Sequence, residues 1–261
     1  MRKALFVFTL LTFCIPFCLL AGARKDKREY YKIIVYHYKT TEQKQAIDNY
    51  LENAYLPALH RLGINNVGVF MPLANDTAAD KKIYIIMPVK SLKVLTNMPA
   101  KLAQNATYQE AAKNYMDAVY NNPPFTRMEN LLLYAFPDAP LLNLPKLSSP
   151  KAERVYEFRS YESPTEKLFR NKVQMFNEGG EVTLFKRLNF NAIFYAEVIA
   201  GSSMPNLIYM TSFENMADRD AHWKTFSADP EWKKLSSDPV YQHNVSRPEI
   251  ILMRATGYSD Y

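Results

Sequence analysis

The chain passes twice through the same order of strand-like and helix-like segments, and no other feature limits its possible folds as much. Tyr30–Tyr38 (YYKIIVYHY), rich in β-branched and aromatic residues, predicts a strand. Thr41 opens a helical stretch to about Leu62, with Ile47, Leu51, Ala54, Tyr55 and Leu59 on one face and Gly63 as its stop. Strands follow at Val67–Pro72 and Lys82–Val89, separated by a polar hairpin loop from Asn75. Helices are expected from Leu92 to Val119, broken at Pro99, and a fourth strand at Glu129–Phe136. After the proline-rich segment 138–152 the order begins again. Arg154–Tyr161 is a strand, Pro164 opens a helical region interrupted at Gly179-Gly180, and Phe190–Ile199 and Leu207–Phe213 are strands. Asn215–Leu235 is helical with a break at Asp229-Pro230, and Glu249–Ala255 is the last strand. Each pass reads β-α-β-β-α-β, the ferredoxin-like order. The expected class is α+β, with a first domain at 29–137, a linker at 138–152 and a second domain at 153–261.

Four landmarks tie the passes together at a spacing of roughly 120–126 residues. Tyr38-Lys-Thr-Thr-Glu-Gln-Lys44 matches Tyr161-Glu-Ser-Pro-Thr-Glu-Lys167, and Arg61-Leu-Gly-Ile-Asn65 matches Arg187-Leu-Asn-Phe-Asn191. Lys82-Ile-Tyr84 matches Leu207-Ile-Tyr209, and the strand from Glu129 matches the strand from Glu249. A four-stranded sheet covers one face with its own helices and leaves the other bare. Leaving two such faces of Val, Ile, Phe and Tyr in water would create large apolar patches. The halves are therefore expected to close on each other as an intramolecular dimeric α/β barrel, and a further homodimer stays open.

The first 23 residues read as a cleavable export signal, with an uncleaved membrane anchor as the alternative. Arg2 and Lys3 precede an apolar run from Ala4 to Leu20, and Ala21-Gly22-Ala23 places small residues before a predicted cut after Ala23. The expected location is periplasmic or secreted, with no stable membrane insertion once the signal is cleaved. Both cysteines, Cys14 and Cys18, lie inside this leader. The processed chain then has no disulfide, no thiol nucleophile and no Cys-ligated metal. The net charge of +6 is dispersed apart from the cluster Arg24–Arg28, so no nucleic-acid partner is expected.

The second pass resembles a NIPSNAP domain over about residues 153–258. The matching features are Val155-Tyr-Glu-Phe-Arg-Ser-Tyr161, Pro205-Asn-Leu-Ile-Tyr-Met210, Ser212-Phe-Glu-Asn-Met-Ala-Asp-Arg219 and Asp229-Pro-Glu-Trp232. The resemblance implies the dimeric α/β-barrel fold, shared with cofactor-free monooxygenases and small haem-degrading enzymes. It implies no set reaction. The first pass has Ile34 and Tyr36 where the second has Glu157 and Arg159, so if those two residues carry function the barrel has one working site rather than two.

Glu157, Arg159 and Tyr161 alternate along one strand and face one way, while Tyr156, Phe158 and Ser160 face the other. One reading is a structural Glu157–Arg159 network, because buried charge must be paired. The functional reading has Arg159 anchoring an anionic group and Tyr161 donating a hydrogen bond. Arg219 and His222, three apart on a helix, share a face beside Trp223. Tyr195 and Tyr209 belong to an aromatic set that would line a hydrophobic cavity between helices and sheet, with Gly179-Gly180 at its mouth. His37, His60 and His243 form no ligand motif, and the chain has no P-loop, no G-x-S-x-G and no G-x-G-x-x-G. No cofactor or metal is expected. The preferred function is binding of a small hydrophobic or aromatic ligand in the second domain. The alternative is a cofactor-independent monooxygenase or haem-related enzyme.

Overall fold

A computed structural model describes residues 28–261, so the expected signal peptide and its predicted cut lie outside the described residues. Eight strands are present: β1 (Tyr30–Tyr38), β2 (Gly68–Pro72), β3 (Lys81–Val89), β4 (Arg127–Ala135), β5 (Val155–Glu162), β6 (Asn191–Ala200), β7 (Asn206–Phe213) and β8 (Arg247–Ala255). All neighbouring pairs are antiparallel, and the strands close into one barrel in the order β1-β3-β2-β8-β5-β7-β6-β4. Between the strands of the first half lie α1 (Thr41–Tyr50), α2 (Leu56–Arg61), α3 (Leu92–Ala103) and α4 (Ala106–Met116). The second half supplies α5 (Glu166–Phe176), α6 (Glu181–Arg187), α7 (Met216–Ala228) and α8 (Pro230–Ser237). None of the described helices is long and apolar enough to cross a membrane.

Closure follows from the period-two pleat. Residues on one face of each strand, such as Ile33 and Val35 of β1 and Tyr156 and Phe158 of β5, meet in a single interior core built from both halves. The opposite faces meet the helices in two separate outer cores, one per half. Fully closing the sheet leaves no bare apolar face and removes most free edges. The two seams between the halves are short. β2 meets β8 at Phe70–Pro72 against Met253–Ala255, and β4 meets β6 from Leu132 to Ala135 with a shift between Leu132 and Leu133. By contrast β1 and β3 pair along their whole length.

The helix ends show the repeat at atomic level. Gly63 after α2 has φ +74°, and Asn189 after α6 has φ 58°. In each case the next amide reaches back to a carbonyl in the last turn, Ile64 to Leu59 at 3.0 Å and Phe190 to Phe185 at 3.0 Å. This is the left-handed helix stop that glycine and asparagine provide. Other expectations need correction. The helix from Thr41 is not uniform: Leu51–Tyr55 widens to a π turn, with Leu56 N bonded to Leu51 O, just before Pro57. Proline lacks the donor for the regular ladder, and the wider turn accommodates it. Pro99 does not break its helix; α3 runs through it to Ala103. The break lies at Asn105, whose side chain accepts from Tyr108 N and caps α4.

The strand registers also correct the repeat. Tyr84 lies opposite Val35 and faces the barrel interior, whereas Tyr209 faces the helices. The residue in Tyr84's place in the second half is Met210, opposite Phe158. The Tyr84–Tyr209 match therefore slips by one position, which in a strand exchanges the two faces. Glu249 lies opposite Ser160, while Arg127 lies opposite His37, so Glu249 corresponds to Arg127 and not to Glu129.

Candidate functional site

The outward face of β5 carries the predicted trio into the layer beneath α5, α6 and α7. Glu157 is 0% exposed. A lone carboxylate at such depth would be strongly unfavourable, and this one is held from three sides. Arg159 Nε donates to Oε1 at 2.6 Å, Arg219 Nε to Oε2 at 2.7 Å, and the Trp223 indole to Oε2 at 2.7 Å. The Arg159 guanidinium lies flat over the Trp223 ring, 3.7 Å from its centre. Arg159 also donates to the Tyr161 hydroxyl at 2.8 Å, which in turn shares a 3.0 Å hydrogen bond with Tyr209.

α7 places its two contributors because Asn215 fixes the helix start, accepting from Asp218 N. Residues four apart project closest together on a helix, so Arg219 and Trp223 grip Glu157 as a pair. His222, the expected partner of Arg219, turns aside. Its Nδ1 lies 2.9 Å from Asp218 O, and its ring packs on Phe190 and Phe213. Tyr195 stacks on Tyr209 with ring centres 5.5 Å apart, and its buried hydroxyl has no hydrogen-bond partner. Burial, with Glu181 nearby, holds this phenol far above its ordinary pKa. Burial alone would lower the Arg159 pKa, yet Tyr209, Tyr161 and Glu157 together push it up.

The structure thus joins seven of the eight predicted residues through hydrogen bonds and ring contacts and leaves His222 at the margin. One pair escaped the sequence reading. Lys172 of α5 is buried, donates to Glu181 at the start of α6 at 3.0 Å, and lies 4.7 Å from the Phe176 ring centre. The available signal was a lysine between Phe169 and Phe176 on the apolar face of an amphipathic helix. Gly180, with φ +86°, separates α5 from α6, and a side chain at Gly179 would press on Met175 O at 2.5 Å. The charged network is closed by its own rings. None of the eight residues lines a separate cavity of about 290 Å³ inside the barrel. Among the described residues no group of three or more acidic or histidine side chains is arranged to hold a metal ion.

The model of the NIPSNAP family matches residues 156–260, which include β5, the Glu157 cluster and β8. That match falls wholly within the C-terminal half. Outside that half the likeness is one of fold. A monooxygenase-like protein from Lactobacillus acidophilus NCFM matches with 11% identity and TM-score 0.57, over 87% of this chain and 94% of its own. A second from Fusobacterium nucleatum matches with 8% identity and TM-score 0.54, over 87% and 92%. A NIPSNAP family protein from Agrobacterium tumefaciens, 20% identical, covers 41% of this chain and 97% of its own with TM-score 0.37. No curated protein matches the chain. The first two likenesses show a shared fold that extends across both halves, beyond the residues matched by the NIPSNAP model.

Proposed function

We propose that the chain is an exported binding protein made of two tandem ferredoxin-like units, 29–137 and 153–261, and that its NIPSNAP domain takes a small hydrophobic or aromatic ligand between helices and barrel. The stranded hydroxyl of Tyr195 carries this reading. A buried hydroxyl with no partner is costly, and this one sits amid the rings of Phe176, Phe185 and Tyr209. A ligand with an apolar body and one hydrogen-bonding atom would satisfy it. The Gly179-Gly180 joint gives α6 a place to hinge and admit such a ligand. The Glu157 network forms a stiff wall behind it, and the leader with its Ala21-Gly22-Ala23 site supports export. The rival monooxygenase or haem-related reading is supported by fold likeness alone. Self-association of two barrels belongs to the proposal and is read by light scattering.

The test uses Trp223, which lies 5.8 Å from Phe185. In a Trp232→Phe background it is the single tryptophan. Titration with 1-naphthol, a small aromatic carrying one hydroxyl, should change its emission saturably, and Tyr195→Phe should weaken binding about fivefold. Flat emission up to millimolar 1-naphthol, with no retained mass on the native protein, would sink the reading.

A further inference from the structure

The inward face of β5 belongs to a different place. A cavity of about 290 Å³ opens at the end of the barrel where β1 and β5 finish and β3, β4, β7 and β8 begin. Its floor is apolar, with Ile33 and Leu131 from the first half and Phe158 and Ile208 from the second. The strand registers set a polar tier above that floor. His37 lies opposite Lys82 and Arg127, and Ser160 lies opposite Glu249. Ser160 and Asn206 satisfy each other at 2.8 Å.

His37 is different. Its side chain is 9% exposed, and Nδ1 lies 2.8 and 3.0 Å from the two carboxylate oxygens of Asp80. With the ring proton assigned to Nδ1, which faces Asp80, Nε2 is left as an acceptor. Nε2 is 3.2 Å from Glu129 Oε1 but off the hydrogen-bonding direction, and it has no hydrogen-bond partner. A buried acceptor facing a cavity without a donor marks a missing group.

The surrounding charges tell what that group is. Of the three cations lining the cavity, the Arg127 and Arg247 side chains are 66% and 74% exposed, whereas that of Lys82 is 28% exposed. Arg127 contacts Glu129 Oε1, the oxygen nearest His37, at 3.1 Å, Ser202 donates to Oε2 at 3.3 Å, and Lys82 Nζ lies 3.4 Å from Asp80. Glu249 lines the cavity from β8 and has no ion-pair partner among the described residues. Burial first, then the charges of Glu249, Glu129 and Asp80, raise the Tyr84 phenol pKa. His37, Glu129 and Glu249 thus all line the cavity above its apolar floor. An ammonium group has three donors and no acceptor. The rings of Tyr84 and Phe158, 5.7 Å apart, add faces that attract a cation.

We propose that the barrel mouth binds a small organic amine, its ammonium head held by His37, Glu129 and Glu249 and its apolar body lodged against Phe158, Ile208 and Ile33. The site lies on the opposite side of the sheet from the Tyr195 hydroxyl, so either proposal can fail without the other. Titration of the full chain with phenethylammonium, followed by calorimetry and by the His37 ring resonances, tests it. Saturable binding that moves those resonances and leaves Trp223 emission flat is expected. Phenylacetate, the acid of the same shape, should not bind. The exposed Glu249→Gln change should weaken phenethylammonium about tenfold through loss of one charge-assisted contact, and His37→Gln should do likewise. Absence of binding, equal binding of phenylacetate, or unchanged affinity in Glu249→Gln overturns the proposal. So does binding reported by Trp223 while His37 stays unmoved.

Discussion

The two helix layers rest on strands of the same order and pleat, yet they solve burial differently. On β1 the outward positions are Ile34, Tyr36 and Tyr38, and on β5 they are Glu157, Arg159 and Tyr161. The first half joins its rings through neutral hydroxyls: Tyr115 donates to Tyr36 at 2.8 Å, and Tyr50 pairs with Tyr108 at 2.9 Å. The second half buries a full negative charge and surrounds it with two guanidinium groups and an indole. Neutral phenols lose little when one partner goes, because each can turn or accept elsewhere. A buried carboxylate and two cations are satisfied only together. The same backbone thus supports a forgiving layer on one side and an all-or-none layer on the other.

The sharpest way to break this comparison is Glu157→Ala, which leaves Arg159 and Arg219 facing an empty buried space. It should lower the free energy of unfolding by about 3–5 kcal/mol in urea denaturation. A loss below about 1 kcal/mol would show the two layers to be alike. At the matched helix stops, Asn189→Ala should cost about 1–2 kcal/mol because the position needs a positive φ. Asn189→Gly should be close to neutral, since Gly63 already fills that role in the first half. Tyr36→Phe, which removes one neutral hydroxyl pair, should cost about 0.5–1.5 kcal/mol in the same assay.

The smallest effect concerns how the connecting segment is held. The residue after β3 is Lys90, whereas the residue after β7 is Glu214, which accepts from the amides of Ser148 and Ser149 at 2.9 and 2.7 Å. Hydrogen bonds from Ser149 and Ser148 lower the Glu214 pKa to about 2. A carboxyl lowered on folding contributes its stability above its ordinary value of 4.5 and loses it as the pH falls towards about 2. The amide resonances of Ser148 and Ser149 should titrate near pH 2, and Glu214→Gln should abolish that titration. A midpoint near 4.5 would mean the contact is not formed in solution.

Much of the barrel was legible because its signals are local. β-branched and aromatic runs marked the strands, and Gly63 marked a helix stop that Asn189 repeats. The π turn before Pro57 was hidden because the apolar spacing looked regular on both sides of it. The slip between Tyr84 and Tyr209 was hidden because residue identity suggested a match that only the pleat could refute. At the site, the alternation Glu157-x-Arg159-x-Tyr161 was readable, and so was the helix carrying Arg219 and Trp223. The grip of Trp223 on Glu157 depends on how α7 is rotated over β5, which no spacing encodes. His37 looked idle in sequence because Asp80, Glu129 and Glu249 sit on three other segments that meet only at one end of the closed barrel.

The shortness of the two seams has an effect beyond one molecule. Each half carries edge strands whose mates lie in the other half, and each join engages only a few rungs. A second copy offers the same mates in the same register. Two chains refolding at high concentration are therefore expected to trade halves, each rim completed by its twin, with residues 138–152 serving as the crossing arm. Shortening that arm would favour the exchanged form, because a tether too short to fold back leaves only a neighbour within reach.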